Sequence, residues 1–197
     1  LAYIENNSVC LFYQFLSDNN TIGERPIKVA PVLFSGKGKI HLGTNVQFGY
    51  HQSANFYSHY SYLEARTTQA EIIFGNNIII NNACNIVAIE KITIGDNCTI
   101  GLNFSVLDSN FHHLEPHKRH DKNPPSNPVK IGNNVFIGNN VTILNGTRIG
   151  QNCKIHSNAV LGGIPQDLKY DNEYTVLEIG NDNIIREFVT INKGTKS

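Results

Sequence analysis

Ile131-Gly132-Asn133-Asn134-Val135-Phe136, Ile137-Gly138-Asn139-Asn140-Val141-Thr142, Ile143-Leu144-Asn145-Gly146-Thr147-Arg148, Ile149-Gly150-Gln151-Asn152-Cys153-Lys154 and Ile155-His156-Ser157-Asn158-Ala159-Val160 follow one another without a break into Leu161-Gly162. An aliphatic residue leads every sixth position. That period is neither helical nor the plain alternation of a hairpin. It fits a short strand plus a turn, with one aliphatic side chain always pointing inward. Three such units close a triangular coil, and stacked coils make a prism whose strands pair in parallel with the coils above and below.

The same step extends in both directions. Downstream it returns as Ile179-Gly180, Ile185-Arg186 and Ile191-Asn192. Upstream it runs through Ile94-Gly95, Ile100-Gly101 and Val106, through Phe74, Ile80 and Ile86, and back to Leu42-Gly43 and Phe48-Gly49. A two-residue slip in phase separates Ile92 from Ile94. The position four after each leading aliphatic is mostly small or medium, as a narrow corner requires: Cys84, Cys98, Val135, Val141, Thr147, Cys153 and Ala159 among others. Three of the four cysteines sit there and read as small buried hydrophobes. No CxxC pair signals zinc or redox chemistry.

The spacing therefore predicts an all-β domain, a parallel β-helix of hexapeptide type, over residues 39–197. Residues 1–38 lack the repeat and read as a cap, with Phe12, Tyr13, Phe15 and Leu16 in a short helix or leading strand over the first coil. A loop near 107–130 is thrown out between coils, and 163–178 is a second interruption. Composition agrees. The 197 residues carry 16 Lys+Arg against 16 Asp+Glu, for a net charge of +0, and only 16% are charged. That balance excludes a nucleic-acid binder and a polybasic membrane protein. Asn and Ile are abundant; Asn tolerates left-handed corners and Ile prefers strands. No apolar run is long enough for an integral membrane segment, and the start has no basic leader. A cytoplasmic location is expected. The chain contains no Met, which reads as a missing native start.

Chemistry concentrates on the excursion loop. It holds Asp108-Ser109-Asn110-Phe111-His112-His113-Leu114-Glu115-Pro116-His117, then His120. Neither a Ser-His-Asp set nor a phosphate-binding glycine loop is present. The histidines do not have metal-ligand spacing, so no metal is expected: His112 and His113 point apart if extended, and the others lie on a polar segment rich in proline. A histidine does suit the removal of a hydroxyl proton at neutral pH.

Residues 38–160 resemble the hexapeptide sugar O-acetyltransferases of O-antigen, capsule and exopolysaccharide synthesis. The resemblance rests on Phe56-Tyr57-Ser58-His59-Tyr60-Ser61-Tyr62-Leu63-Glu64-Ala65-Arg66, Ile80-Asn81-Asn82, Ile94-Gly95-Asp96-Asn97 and Asp108-Ser109-Asn110-Phe111-His112. It continues through Pro128-Val129-Lys130-Ile131-Gly132-Asn133-Asn134-Val135-Phe136-Ile137-Gly138 into Thr142-Ile143-Leu144. It implies a left-handed β-helix, a homotrimer with sites between prisms, and acetyl-CoA as cosubstrate. It also implies a sugar or glycan acceptor, with His112 as general base and His113 as the alternative. The acceptor oxygen would attack the thioester directly, with backbone N–H groups receiving the oxyanion. Asp108 would fix the loop or touch the acceptor, and Asn82 would line the acceptor pocket. Asn139, Ser157 and Gly162 would approach the pantetheine arm. Tyr57, Tyr60 and Tyr62 make one face aromatic enough for a subunit contact.

The final third is similar to another hexapeptide family, the UDP-N-acetylglucosamine acyltransferases of lipid A synthesis. The likeness spans about Asn145 to Thr195, including Gly162-Gly163-Ile164-Pro165-Gln166-Asp167-Leu168-Lys169-Tyr170 and Arg186-Glu187-Phe188-Val189-Thr190-Ile191-Asn192-Lys193-Gly194-Thr195. It implies that Gln166, Asp167 and Lys169 contact a nucleotide sugar or acyl chain. Two readings follow from the pair of resemblances: an O-acetyltransferase with an unusual last coil, or a composite of two β-helices joined in phase. The alternative functions are an acyltransferase of the second family and a catalytically silent scaffold.

Overall fold

The computed structural model describes residues 2–19, 21–171 and 173–195, and side chains from Ser8 onward. A helix, Ala2–Leu16, is followed by three parallel sheets of seven strands each. Every strand pairs with the strand one coil above and one coil below it, so the chain winds as a left-handed triangular prism of seven coils. The first coil is Ile22–Gly23, Ile27–Lys28 and Val32–Ser35, and the last is Leu177–Ile179, Ile184–Ile185 and Thr190–Asn192. The prism thus begins at Ile22, ahead of residue 39, where the six-residue pattern becomes legible.

The leading aliphatics stack into inward columns. In the first sheet Leu42, Phe74, Ile94, Ile131, Ile149 and Ile179 are in register from coil to coil. Ile40, Ile72, Ile92 and Val129 form a parallel column two residues away on the same strands. Side chains two apart on a strand share a face, which explains the phase slip. Ile92 and Ile94 both point inward, and the extra residues are absorbed at the corner before Lys91–Ile94. Phe74 and Ile94 therefore pair across twenty residues, where Ile131 and Ile149 pair across eighteen.

Corners follow from the asparagines. Asn45, Asn77, Asn97, Asn134 and Asn152 adopt φ of 55–59° between the first and second sheets, with Asp182 at 61° below them. Asn is enriched in this left-handed region because its short side chain hydrogen-bonds locally. Here the amides bond from coil to coil: Asn45 to Asn77, Asn77 to Asn97, Asn134 to Asn152 (each 3.2 Å) and Asn152 to Asp182 (3.0 Å). Cys84, Cys98 and Cys153 are buried and free, and burial pushes the Cys84 thiol up to about 12.

The cap is the helix of the two expected forms, and it covers the first coil only in part. Tyr13 stacks on Tyr60 at 4.5 Å, and the Ser17 hydroxyl donates to the Tyr13 carbonyl (2.8 Å) while accepting the Phe34 N–H (3.1 Å). Leu11, Phe12 and Phe15 remain exposed.

Candidate functional site

Two long loops leave the corner between the third and first sheets: residues 108–128 and 164–176. The prolines of the first loop, Pro116, Pro124, Pro125 and Pro128, lack the N–H that a sheet ladder needs, so the chain leaves the prism there. Its neck is stitched shut. Ser109 and Ser126 form an antiparallel bridge, the Asn127 N–H donates to the Asp108 carbonyl (2.8 Å), and the Ser109 hydroxyl donates to Pro125 O (2.8 Å).

Asp108 is completely buried beneath this neck. Its Oδ1 accepts the Ile89 N–H, and its Oδ2 accepts those of Glu90 and Lys91, each at 2.8 Å. Burial pushes the carboxyl pKa up, and the three donors pull it back only in part. These donors belong to the corner that absorbs the two-residue slip. Asp108 therefore positions the loop and has no surface to offer a substrate.

A second tie holds the loop from above. Phe111 sits at φ 60°, an unusual conformation for a bulky side chain. Its ring lies under the Arg66 guanidinium, 4.3 Å from centroid to Cζ. Arg66 Nε and Nη2 both donate to Glu64 Oε2 (3.0 and 2.7 Å). Coil two thus clasps the loop that leaves coil four, next to the histidine pair.

His112 and His113 face different surroundings. His112 is exposed, and its Nδ1 donates to the Arg119 carbonyl at 3.2 Å. That bond leaves Nε2 as the ring's acceptor. His113 lines a cavity of about 380 Å³ between the two loops. Asn110, Glu115 and Asn127 share its wall on one side, with Tyr170, Tyr174 and Lys193 on the other. Asn127 joins the walls: its Nδ2 donates to Thr175 O (3.2 Å) and its Oδ1 accepts the Tyr174 hydroxyl (2.9 Å). Among the described residues no three His, Cys, Asp or Glu side chains converge as a metal site.

The remaining candidates do not gather here. Asn82, read as a pocket residue, is 1% exposed. Its Nδ2 donates to Tyr50 O (3.1 Å) and Ala54 O (2.8 Å), and its Oδ1 accepts the Tyr50 N–H (2.9 Å), so it anchors the loop 49–60. Gln166, Asp167 and Lys169 are exposed on the second loop but outside the cavity lining. Asp167 Oδ1 accepts the Lys169 N–H (2.9 Å), which makes the turn there. Asn139 and Ser157 share the corner between the second and third sheets, where the Asn139 N–H donates to Ser157 Oγ (3.1 Å) and Asn139 Oδ1 accepts the Leu102 N–H (2.9 Å). Gly162 is buried in the third sheet at φ 88°, and a Cβ there would strike the Thr147 hydroxyl. Its lack of a side chain is demanded by packing within the chain. These three positions form no common surface for a pantetheine arm.

Reasoning from sequence missed Arg66 as a clasp, the cavity's far wall, and four exposed apolar side chains on the outer face of the second sheet. Ile27, Ile79, Phe136 and Ile184 are 45–62% exposed there and alternate in register with Gln47, Thr99 and Lys154. Alternation along each strand could have revealed these side chains. The other two are contacts distant in sequence, with no local signal.

The fold and this corner define a hexapeptide β-helix carrying a histidine loop, and comparison with known proteins agrees. Residues 128–163 match the family model described as bacterial transferase hexapeptide (six repeats), and residues 91–107 match that of the hexapeptide repeat of succinyl-transferase. The chain is similar to the acyl-[acyl-carrier-protein]–UDP-N-acetylglucosamine O-acyltransferase of Chlorobaculum parvum, at 58% identity over 50 residues, 25% of this chain and 19% of the relative. The enzyme of the same name from Xanthomonas oryzae pv. oryzae is 59% identical over 49 residues, again 25% and 19%. That of Xanthomonas campestris pv. campestris is 60% identical over 48 residues, 24% and 18%. The chain spans about a fifth of the length of these curated relatives. No solved structure matches. No helix among the described residues is long and apolar enough to cross a membrane.

Proposed function

We propose that the chain is an acyltransferase that passes an acetyl group from acetyl-CoA to a sugar hydroxyl, with the excursion loop supplying the base. The observation that carries this reading is the pinned loop. Asp108 fixes its root and Arg66 its shoulder, so the histidine pair is held on rigid elements, as general-base catalysis needs. His112 is the base in this reading. Its Nδ1–H is committed to the Arg119 carbonyl, which leaves Nε2 to take the proton from the acceptor hydroxyl as that oxygen attacks the thioester carbonyl; the C–S bond then breaks and the CoA thiolate leaves, taking the proton back from the imidazolium. His113, on the cavity, is the alternative base. The protein acts as a homotrimer in this reading, and the exposed Ile79, Phe136 and Ile184 on the second sheet, interspersed with polar residues as interface surfaces are, support a face for a neighbouring copy.

One observation favours a second reading. The likeness to UDP-N-acetylglucosamine O-acyltransferases supports a nucleotide-sugar acceptor and an acyl carrier protein as donor. Transfer assays with each donor and acceptor pair distinguish the two. Under the first, His112→Ala lowers acetyl transfer from acetyl-CoA by about 10²-fold or more while His113→Ala does not. The reverse pattern moves the base to His113. Full activity in both variants, or no transfer from any donor, overturns the proposal.

A further inference from the structure

Among the residues lining the cavity between the two loops, Lys193 is the only lysine or arginine. Its backbone N–H donates to Gly163 O (2.9 Å), and its Nζ donates to Asn145 Oδ1 at 2.6 Å. The side chain is half-buried and its hydrogen-bonded partner is a neutral amide. An ammonium has three donors and a large desolvation cost, so one amide oxygen leaves it undercompensated. Burial accordingly pushes the Lys193 pKa down.

Two carboxylates share the cavity with Lys193, and backbone N–H groups hold both. Glu115 is held below its ordinary value by its own backbone N–H and by Lys118, His113 and His117. Glu173 Oε2 accepts the Asp171 N–H (2.8 Å). The rest of the lining suits a sugar: Tyr170 and Tyr174 offer ring surface, while Asn110 offers an amide for hydroxyls.

We propose that this cavity binds a sugar bearing an anionic group, a carboxylate or a phosphate, and that Lys193 pairs with that anion. The proposal rests on the reading that the acceptor is a sugar, taken with His113, which lines this cavity, as its base, and it narrows the acceptor to an acidic one. A charge-assisted bond from a partly desolvated ammonium is among the stronger polar contacts a protein makes.

Binding to the full chain tests this without turnover. The probes are methyl β-D-glucuronide, glucose 1-phosphate and the neutral methyl β-D-glucoside, titrated by calorimetry. At least one anionic sugar should bind about tenfold or more tightly than the neutral one. Lys193→Gln should erase that difference and Lys193→Arg should keep it, in chains whose circular dichroism matches the parent. Preference between glucuronide and phosphate identifies the anion. Equal binding of neutral and anionic sugars, an unchanged preference in Lys193→Gln, or no binding of either anion overturns the proposal. Anion-selective binding without acyl transfer from any donor sinks the transferase reading and leaves this site standing. Transfer without anion selectivity does the opposite.

Discussion

At the corner between the first and second sheets, each of the lower six coils turns through an Asn or Asp at positive φ, and their side chains bond from coil to coil in two runs, from the second coil to the fourth and from the fifth to the seventh. No insertion interrupts that corner from Leu42 to Ile184. At the corner between the third and first sheets no such ladder runs among the described residues. Coils turn there by individual devices, such as Asp108 gathering three backbone N–H groups, and loops of unequal length leave it. The contrast teaches where this fold accepts novelty. A repeated side-chain ladder fixes one turn geometry for every coil. A corner closed by a single dedicated residue can be reopened and filled with a loop, and the histidines are on such a loop.

The largest effect should come from breaking the dedicated corner. Asp108→Ala would strand three part-buried N–H groups, costing about 3 kcal/mol. Its denaturation midpoint should fall well below the parent's; an unchanged midpoint would show that water or a neighbour replaces the carboxylate. Breaking one rung of the ladder should cost less. Asn134→Ala places a non-glycine, non-amide residue at φ 56° and removes the bond to Asn152, for about 1–2 kcal/mol by chemical denaturation. A loss above that of Asp108→Ala would reverse the ranking of the two corners. Arg66→Ala should cost about 1 kcal/mol or less in stability. It should still raise hydrogen exchange at residues 109–115 and lower the rate of transfer, because the clasp on Phe111 is lost together with the ion pair to Glu64. The smallest effect is a gain. Ala83 holds φ 60° with no side chain to bond, and Asn55 of the upper loop reaches past it to Asn103 (3.1 Å). Ala83→Gly should stabilise by somewhat under 1 kcal/mol, read as a small rise in the midpoint.

The prism was legible because each coil must fill the same interior columns, which writes a period into the sequence. Ile131, Ile137 and Ile143 repeat for the same reason that they touch. The first coil escaped that reading. Its strands Ile22–Gly23 and Ile27–Lys28 carry outward-facing isoleucines and no Gly-Asn turn signature, and only Ala30, Val32 and Phe34 reach the core. The site was legible in part. Composition picks out the loop and its histidines, since proline excludes that segment from a ladder. Asn82 misled because a buried amide and a ligand-binding amide look alike in sequence; only its partners, the carbonyls of Tyr50 and Ala54, tell them apart. The wall formed by Tyr174, Asn127 and Lys193 unites positions far apart in the chain, and nothing local marks such a meeting.

The neck of the histidine loop lies between the fourth and fifth of the seven coils. In a stack where each layer leans only on its neighbours, fraying starts at the two ends and works inward. The middle layers are supported from both sides and open last. The root of the loop has coils stacked on both sides of it, so opening of the first coil or of the one at residues 177–192 leaves it intact.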